Sequence, residues 1–260
     1  MNQPLAYVHP QAKIASNVVI EPFVTIHKNV EIGEGTWIGS NVTIMEGARI
    51  GKNCKIFPGA VISAIPQDLK YAGEETLAII GDNTIIREYV TVNKGTKANM
   101  ETIVGKNCLL MAYVHVAHDC IIGNNCILAN AASLAGHIVI DDYAIIGGLS
   151  AIHQFVHIGA HVMVSGAAKV LKDIPPFTKA ARDPLSYVGI NSIGLRRRGF
   201  STERISAIQE IYRIIFLKHY NVSQALAIIE AEIPATPDRD EIISFISSSS
   251  RGIMRGYSYM

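Results

Sequence analysis

Along most of this chain an aliphatic residue returns at every sixth position. Val8, Ile14, Ile20, Ile26, Ile32, Ile38, Ile44, Ile50, Ile56 and Ile62 form one such run. A longer one goes from Val104 through Leu110, Val116, Ile122, Leu128 and Leu134 to Val170, and Ile80, Ile86 and Val92 make a short run between the two. Four places after these residues stands a small or medium apolar one, as at Val18, Ala48, Cys54, Cys108, Cys120 and Ala132. A period of six with a second apolar position at plus four fits neither an amphipathic helix nor a simple alternating strand. The Gly that often follows the aliphatic, as at Gly33, Gly105 and Gly123, weakens a helix further. Such hexads are the signature of a parallel β-helix. Three hexads make a triangular coil of 18 residues, with short strands as faces and turns at corners where Gly or Asn tolerates positive φ. The runs predict about eight coils. No coil can hide its apolar edge alone, so each must stack on the next at about 4.8 Å.

Two stretches break the hexads: residues 63–79, "SAIPQDLKYAGEETLAI", and 94–102, "KGTKANMET". Loops that interrupt a solenoid project from one edge and are often functional. After residue 172 the hexads stop. From Ser201, a good N-cap, the positions Ile205, Ile208, Ile211, Tyr212 and Ile215 follow helical spacing. "VSQALAIIEAEI" and "DRDEIISFISSSS" predict two more short helices. The chain therefore divides into a hexad domain, 1–186, which should carry the chemistry, and an α-helical domain, 187–260.

Composition narrows the function. With 23 basic against 22 acidic residues the net charge is +1, which provides no global field for nucleic acid or an anionic membrane. No stretch approaches the roughly 18 to 20 apolar residues of a membrane span, and "MNQPLAYVHPQ" lacks the marks of a secretory signal. A soluble cytoplasmic protein without stable membrane insertion is expected. The four cysteines fall on hexad wall positions and show no paired motif, so they are expected to fill the wall rather than bind metal or exchange disulfides.

The 18-residue coil is also a ruler for polar exceptions. In "MAYVHVAHDC", His118 is followed one coil later by Gly136 and two coils later by Gln154, while Asp119 falls beside His137. These five residues should form one polar patch, with His115 and His153 at its margin. A histidine beside a carboxylate is a poised base, because the carboxylate fixes its tautomer and stabilises the imidazolium. A glycine one coil away lets a carbonyl approach its N–H, which can donate to a developing oxyanion. Together they point to acyl transfer. The rival reading is a zinc centre on His115, His118 and His137, with water as fourth ligand.

Strings outside the hexad constraint carry a resemblance. "HVAHDC", "ILANAASLAGH", "AIHQF", "GAHVMV", "QDLKYAGE" and "GINSIGLRRRGFS" together resemble the UDP-N-acetylglucosamine O-acyltransferases that begin lipid A synthesis. The likeness covers essentially the whole chain. It implies a left-handed β-helix, a homotrimer with the cleft between subunits, and no cofactor. The substrates would be UDP-N-acetylglucosamine and a 3-hydroxyacyl thioester of acyl carrier protein. His118 would be the base, Asp119 its support, and Gly136 the oxyanion donor. His115, His137, Gln154, Asp68 and Lys70 would contact sugar and phosphate; Asn191, Arg197 and Arg198 would contact the nucleotide end. Gly166 would set acyl chain length, leaving room for a longer chain. Ile193, Asn93 and "ARDPLS" at 181–186 depart from the family pattern. These departures leave open a 3-amino sugar as acceptor, and a zinc hydratase on the same fold stays the second alternative.

Overall fold

The structure, a computed structural model, describes residues 4–256. The ends of the two expected domains, 1–3 and 257–260, lie outside the described residues. The hexads become strands of two to four residues, and every third strand joins the same sheet in parallel. Three faces result among the described residues, of nine, eight and eleven strands. The first contains His115–Val116, the second Ile121–Ile122 and the third Ile127–Leu128. Ser133 stands opposite His115 and Ala151 opposite Ser133, so the predicted 18-residue register holds. The prism is a left-handed parallel β-helix.

The hexad aliphatics point inward in three columns, of which Ile44, Ile62, Val92 and Val116 on the first face are wholly buried. Burying each large aliphatic side chain contributes about 1.5 to 3 kcal/mol. All four cysteines are buried and free, and burial pushes the Cys120 thiol up to about 12. They fill the wall, as expected. Gly35, Gly47 and Gly59 hold positive-φ corners as predicted, but the glycine that follows the aliphatic does something else. A Cβ on Gly105 would lie 2.5 Å from the carbonyl oxygen of Gly123, so the glycine after the aliphatic permits close stacking of coils rather than positive φ. Other left-handed corner positions are held by Asn83, Asn107 and Asn125, and also by Asp119, His137 and His161.

Both interruptions leave the prism at the same corner, between the first and second faces. Thr91 pairs with Val61, 30 positions earlier, and His115 with Thr91, 24 positions earlier, where an unbroken coil needs 18. Each excess is a multiple of six, so the inward phase survives.

The third face runs on past the last coil. Strand Thr178–Ala181 pairs antiparallel with Ser186–Ile190, and Arg255–Gly256 adds to the latter in parallel. Four helices lie among the described residues: α1 (Ser192–Arg197), α2 (Thr202–Leu217), α3 (Val222–Glu232) and α4 (Pro237–Ser248). Ser201 caps α2 by accepting from the Arg204 N–H, as its position predicts. Helix α1 was not predicted from the sequence. The buried Tyr212 of α2 donates to the Pro176 carbonyl at 2.5 Å, and the Asp173 carboxylate accepts from the His157 N–H and the Ser249 hydroxyl. These bonds fix the helical segment against the end of the prism. No helix among the described residues is long and apolar enough to cross a membrane.

Candidate active site

His118 and Asp119 sit at the corner between the first and second faces, with Gly136 and His137 one coil further on. The His137 N–H donates to the His118 carbonyl at 3.1 Å, and the Phe155 N–H to the Gly136 carbonyl at 3.2 Å, which stacks three successive corners. His118 Nδ1 lies 2.7 Å from Asp119 Oδ2. Its other ring nitrogen faces Gly136, where an added Cβ would come within 2.6 Å of Nε2. The Gly136 N–H takes no part in the coil-to-coil backbone bonds, although the N–H groups on either side of it do. His137 stands edge-on to His118 with ring centres 5.0 Å apart and stacks on Phe155 at 4.6 Å.

Asp119 is buried beneath this group. Burial pushes its carboxyl up, but hydrogen bonds from His118, from the Thr96 hydroxyl and N–H, and from the Asn99 N–H outweigh burial and hold it below the usual carboxylate range. The carboxylate is therefore ionised and can only accept, so the proton between the two groups sits on His118 Nδ1. Burial lowers His137, with Asp119 and Asp68 pulling it back in part, and burial is the largest cause lowering His115. Both are neutral near pH 7. Thr96 and Asn99 belong to the interruption at 94–102. Sequence reading marked that loop as a functional candidate but named none of its residues.

The other predicted residues divide by position. His115 lies on the first face with Nδ1 2.7 Å from the Thr91 hydroxyl, beside the group but outside it. The side chains that do converge are His118, Asp119 and His137, with potential ligand atoms within 4.8 Å of one another. One chain thus does not assemble the three-histidine set of the zinc reading. Gln154 is half-buried two coils above His118 and His153 is exposed, 3.1 Å from an Arg251 nitrogen. Asp68 lies in the longer interruption, accepts from the Lys70 N–H, and its charge reaches His137; Lys70 is exposed. Asn93, buried, donates to the Ile65 carbonyl and so anchors the start of that loop.

Asn191, Arg197, Arg198 and Gly166 occupy other corners. Asn191 is the buried N-cap of α1, its amide accepting from Gly194 and donating to the His161 carbonyl at 2.9 Å. Arg198 lies over the Tyr143 ring and donates to its carbonyl, between the second and third faces; Arg197 is exposed. Gly166 lies between the third and first faces, one coil beyond Gly148.

The second corner predicts a pH effect. His161 stacks between Tyr143 and Phe177, and burial, aided by Arg198 and Arg204, pushes its pKa down to about 4. An unfolded histidine titrates near about 6.5. Between these values the unfolded chain takes up a proton that the folded chain refuses, so stability falls as pH drops from about 6.5 to about 4 and is unaffected above. In thermal melts across that window, His161→Phe should lose less stability than the wild type.

Solved structures with this geometry have been described. The chain superposes on the UDP-N-acetylglucosamine acyltransferase from Bacteroides fragilis 9343 with a TM-score of 0.97 at 55% identity, covering 98% of this chain and 100% of that one. The acyl-(acyl carrier protein) UDP-N-acetylglucosamine O-acyltransferase of Janthinobacterium sp. (strain Marseille) is 45% identical over 257 residues, 97% of this chain and 98% of the relative. This chain belongs to the UDP-N-acetylglucosamine O-acyltransferase family. Residues 173–254 match the profile described as the second domain of the UDP-N-acetylglucosamine O-acyltransferase, so the helical end carries the family's mark as well as the prism. Residues 101–136 match the six-repeat hexapeptide of bacterial transferases, and 2–103 a profile described as the GMPPB C-terminal domain. The family's fold persists at low identity: the Arabidopsis UDP-N-acetylglucosamine acyltransferase, 32% identical, still gives a TM-score of 0.86 over 98% of this chain and 100% of that one.

Proposed function

We propose that this chain transfers a 3-hydroxyacyl group from acyl carrier protein to the 3-hydroxyl of UDP-N-acetylglucosamine, the opening reaction of lipid A synthesis. The observation that carries the reading is the 2.7 Å contact of His118 Nδ1 with a buried carboxylate, its Nε2 turned toward Gly136. Nε2 takes the hydroxyl proton as the sugar oxygen bonds to the thioester carbonyl carbon. The Gly136 N–H donates to the oxyanion of the tetrahedral intermediate. Collapse breaks the carbon–sulfur bond, and the leaving thiolate recovers the proton from His118. No step calls on a metal or cofactor.

A homotrimer explains why the candidate residues lie at three corners. Prisms packed about a common axis set the His118 corner of one copy against a different corner of its neighbour, so that Arg197, Arg198 and Gly166 can serve a cleft that one chain leaves open. Leu149, 72% exposed and one coil before Ala167, offers an apolar flank beside Gly166 for the acyl chain. Exposed basic side chains such as Arg196 and Arg197 would draw in an acidic carrier protein. The same reading makes the enzyme cytoplasmic, where its carrier protein is loaded.

The direct test incubates purified protein with UDP-N-acetylglucosamine and a series of 3-hydroxyacyl carrier proteins, with product followed by mass spectrometry. Transfer that favours the longer chains is expected, because Gly166 has no side chain to shorten the cleft. Transfer only to the 3-amino analogue would change the product to an amide. No transfer to either, with stoichiometric zinc found by metal analysis, would overturn the reading.

A further inference from the structure

We propose that Thr96 is a positioning residue of the transfer reaction, acting on the His118 base through Asp119. The inference rests on the acyl-transfer reading above. Thr96 is buried and comes from the shorter interruption, which joins the corner one coil before Asp119. Its hydroxyl lies 2.7 Å from Asp119 Oδ2, the oxygen that also meets His118 Nδ1, and its N–H donates to Oδ1 at 2.9 Å. The Ala98 N–H donates to the same hydroxyl at 3.2 Å. An ionised carboxylate only accepts, so the single hydroxyl proton of Thr96 is committed to Asp119. One residue thus clamps both oxygens, and the plane of the carboxylate sets the plane of the imidazole.

The clamp is itself held. The Thr76 hydroxyl donates to the Gly95 carbonyl at 2.6 Å, the Gly95 N–H to the Leu77 carbonyl, and the Met100 N–H to the Thr96 carbonyl at 2.7 Å. A side chain on Gly95 would meet the Glu101 backbone nitrogen at 2.3 Å, so the two ends of this loop approach each other at backbone distance. Asp119 in turn donates its N–H to the Thr102 hydroxyl. Without the Thr96 hydroxyl, Oδ2 keeps only His118 as donor, and the carboxylate can turn away from the orientation that aims Nε2 at the Gly136 side.

Thr96→Val keeps the shape and removes the hydroxyl. Expected is a fall in kcat of about 10- to 100-fold, from misplacement of the base, with KM for the sugar nucleotide unchanged. Thr96→Ser should restore kcat. In an Asp119→Ala background Thr96→Val should lower kcat no further, because the residue through which it acts is gone. Rates are referred to the folded fraction measured by circular dichroism. Wild-type kcat in Thr96→Val, failure of Ser to rescue, or an equal loss with and without Asp119 would each overturn the proposal. An inactive wild type would instead overturn the acyl-transfer reading, and the inference with it.

Discussion

His118→Ala should lower kcat by a factor on the order of 10² to 10⁴, the usual worth of a positioned general base. The sugar hydroxyl is a poor nucleophile until its proton has somewhere to go, and within this corner His118 is the histidine that pairs with the buried Asp119 carboxylate at hydrogen-bond distance. His137 is the nearest substitute, but its Nε2 is 3.7 Å from Asp119 Oδ2 and burial already disfavours its charged form. Folding should survive, because Asp119 keeps its bonds to Thr96 and Asn99 in the variant. Steady-state kinetics beside a thermal melt make the check. A folded variant with wild-type kcat would remove His118 from the chemistry.

Gly136→Ala should be nearly as harmful, by about 10²- to 10³-fold in kcat, for a purely steric reason. Its Cβ would sit 2.5 Å from His118 Cε1, closer than real carbon contacts come. Gly136 is not among the positive-φ positions, so alanine brings no backbone strain, and the corner itself should hold. What must give is the imidazole, and the imidazole is tethered to Asp119. The methyl also fills the space through which a carbonyl would reach the N–H. A melting midpoint near wild type together with collapsed turnover is the expected pair of results. Unchanged turnover would mean that no reacting atom approaches this glycine.

The prism was legible because hexad phase is a one-dimensional signal that nothing in the tertiary structure overrides. The same ruler carried His118 to Gly136 and Asp119 to His137, since residues 104–170 contain no insertion. It could not find Thr96. The Thr96–Asp119 pairing crosses an interruption, and a loop that leaves the register gives no arithmetic for where it returns. Asn191 has a structural role that the sequence did not show: its amide caps α1 and holds the His161 carbonyl. Helix α1 went unseen because six residues hold too little periodicity to detect. Within one chain His115 stays outside the group formed by His118, Asp119 and His137, because it is on a face and turns to Thr91, whereas His118 is on the corner.

The placement of both interruptions has a consequence for how the chain finds its shape. In an unbroken stretch, partner strands are separated by 18 residues, so every new rung closes a short segment onto one already in place. The insertions lengthen that segment to 30 residues at the widest. Closure entropy grows only with the logarithm of length, so the extra is about 0.5 kcal/mol. Stretching the rungs that lead up to the reactive corner therefore scarcely slows their formation, and order can spread through them from the coils on either side.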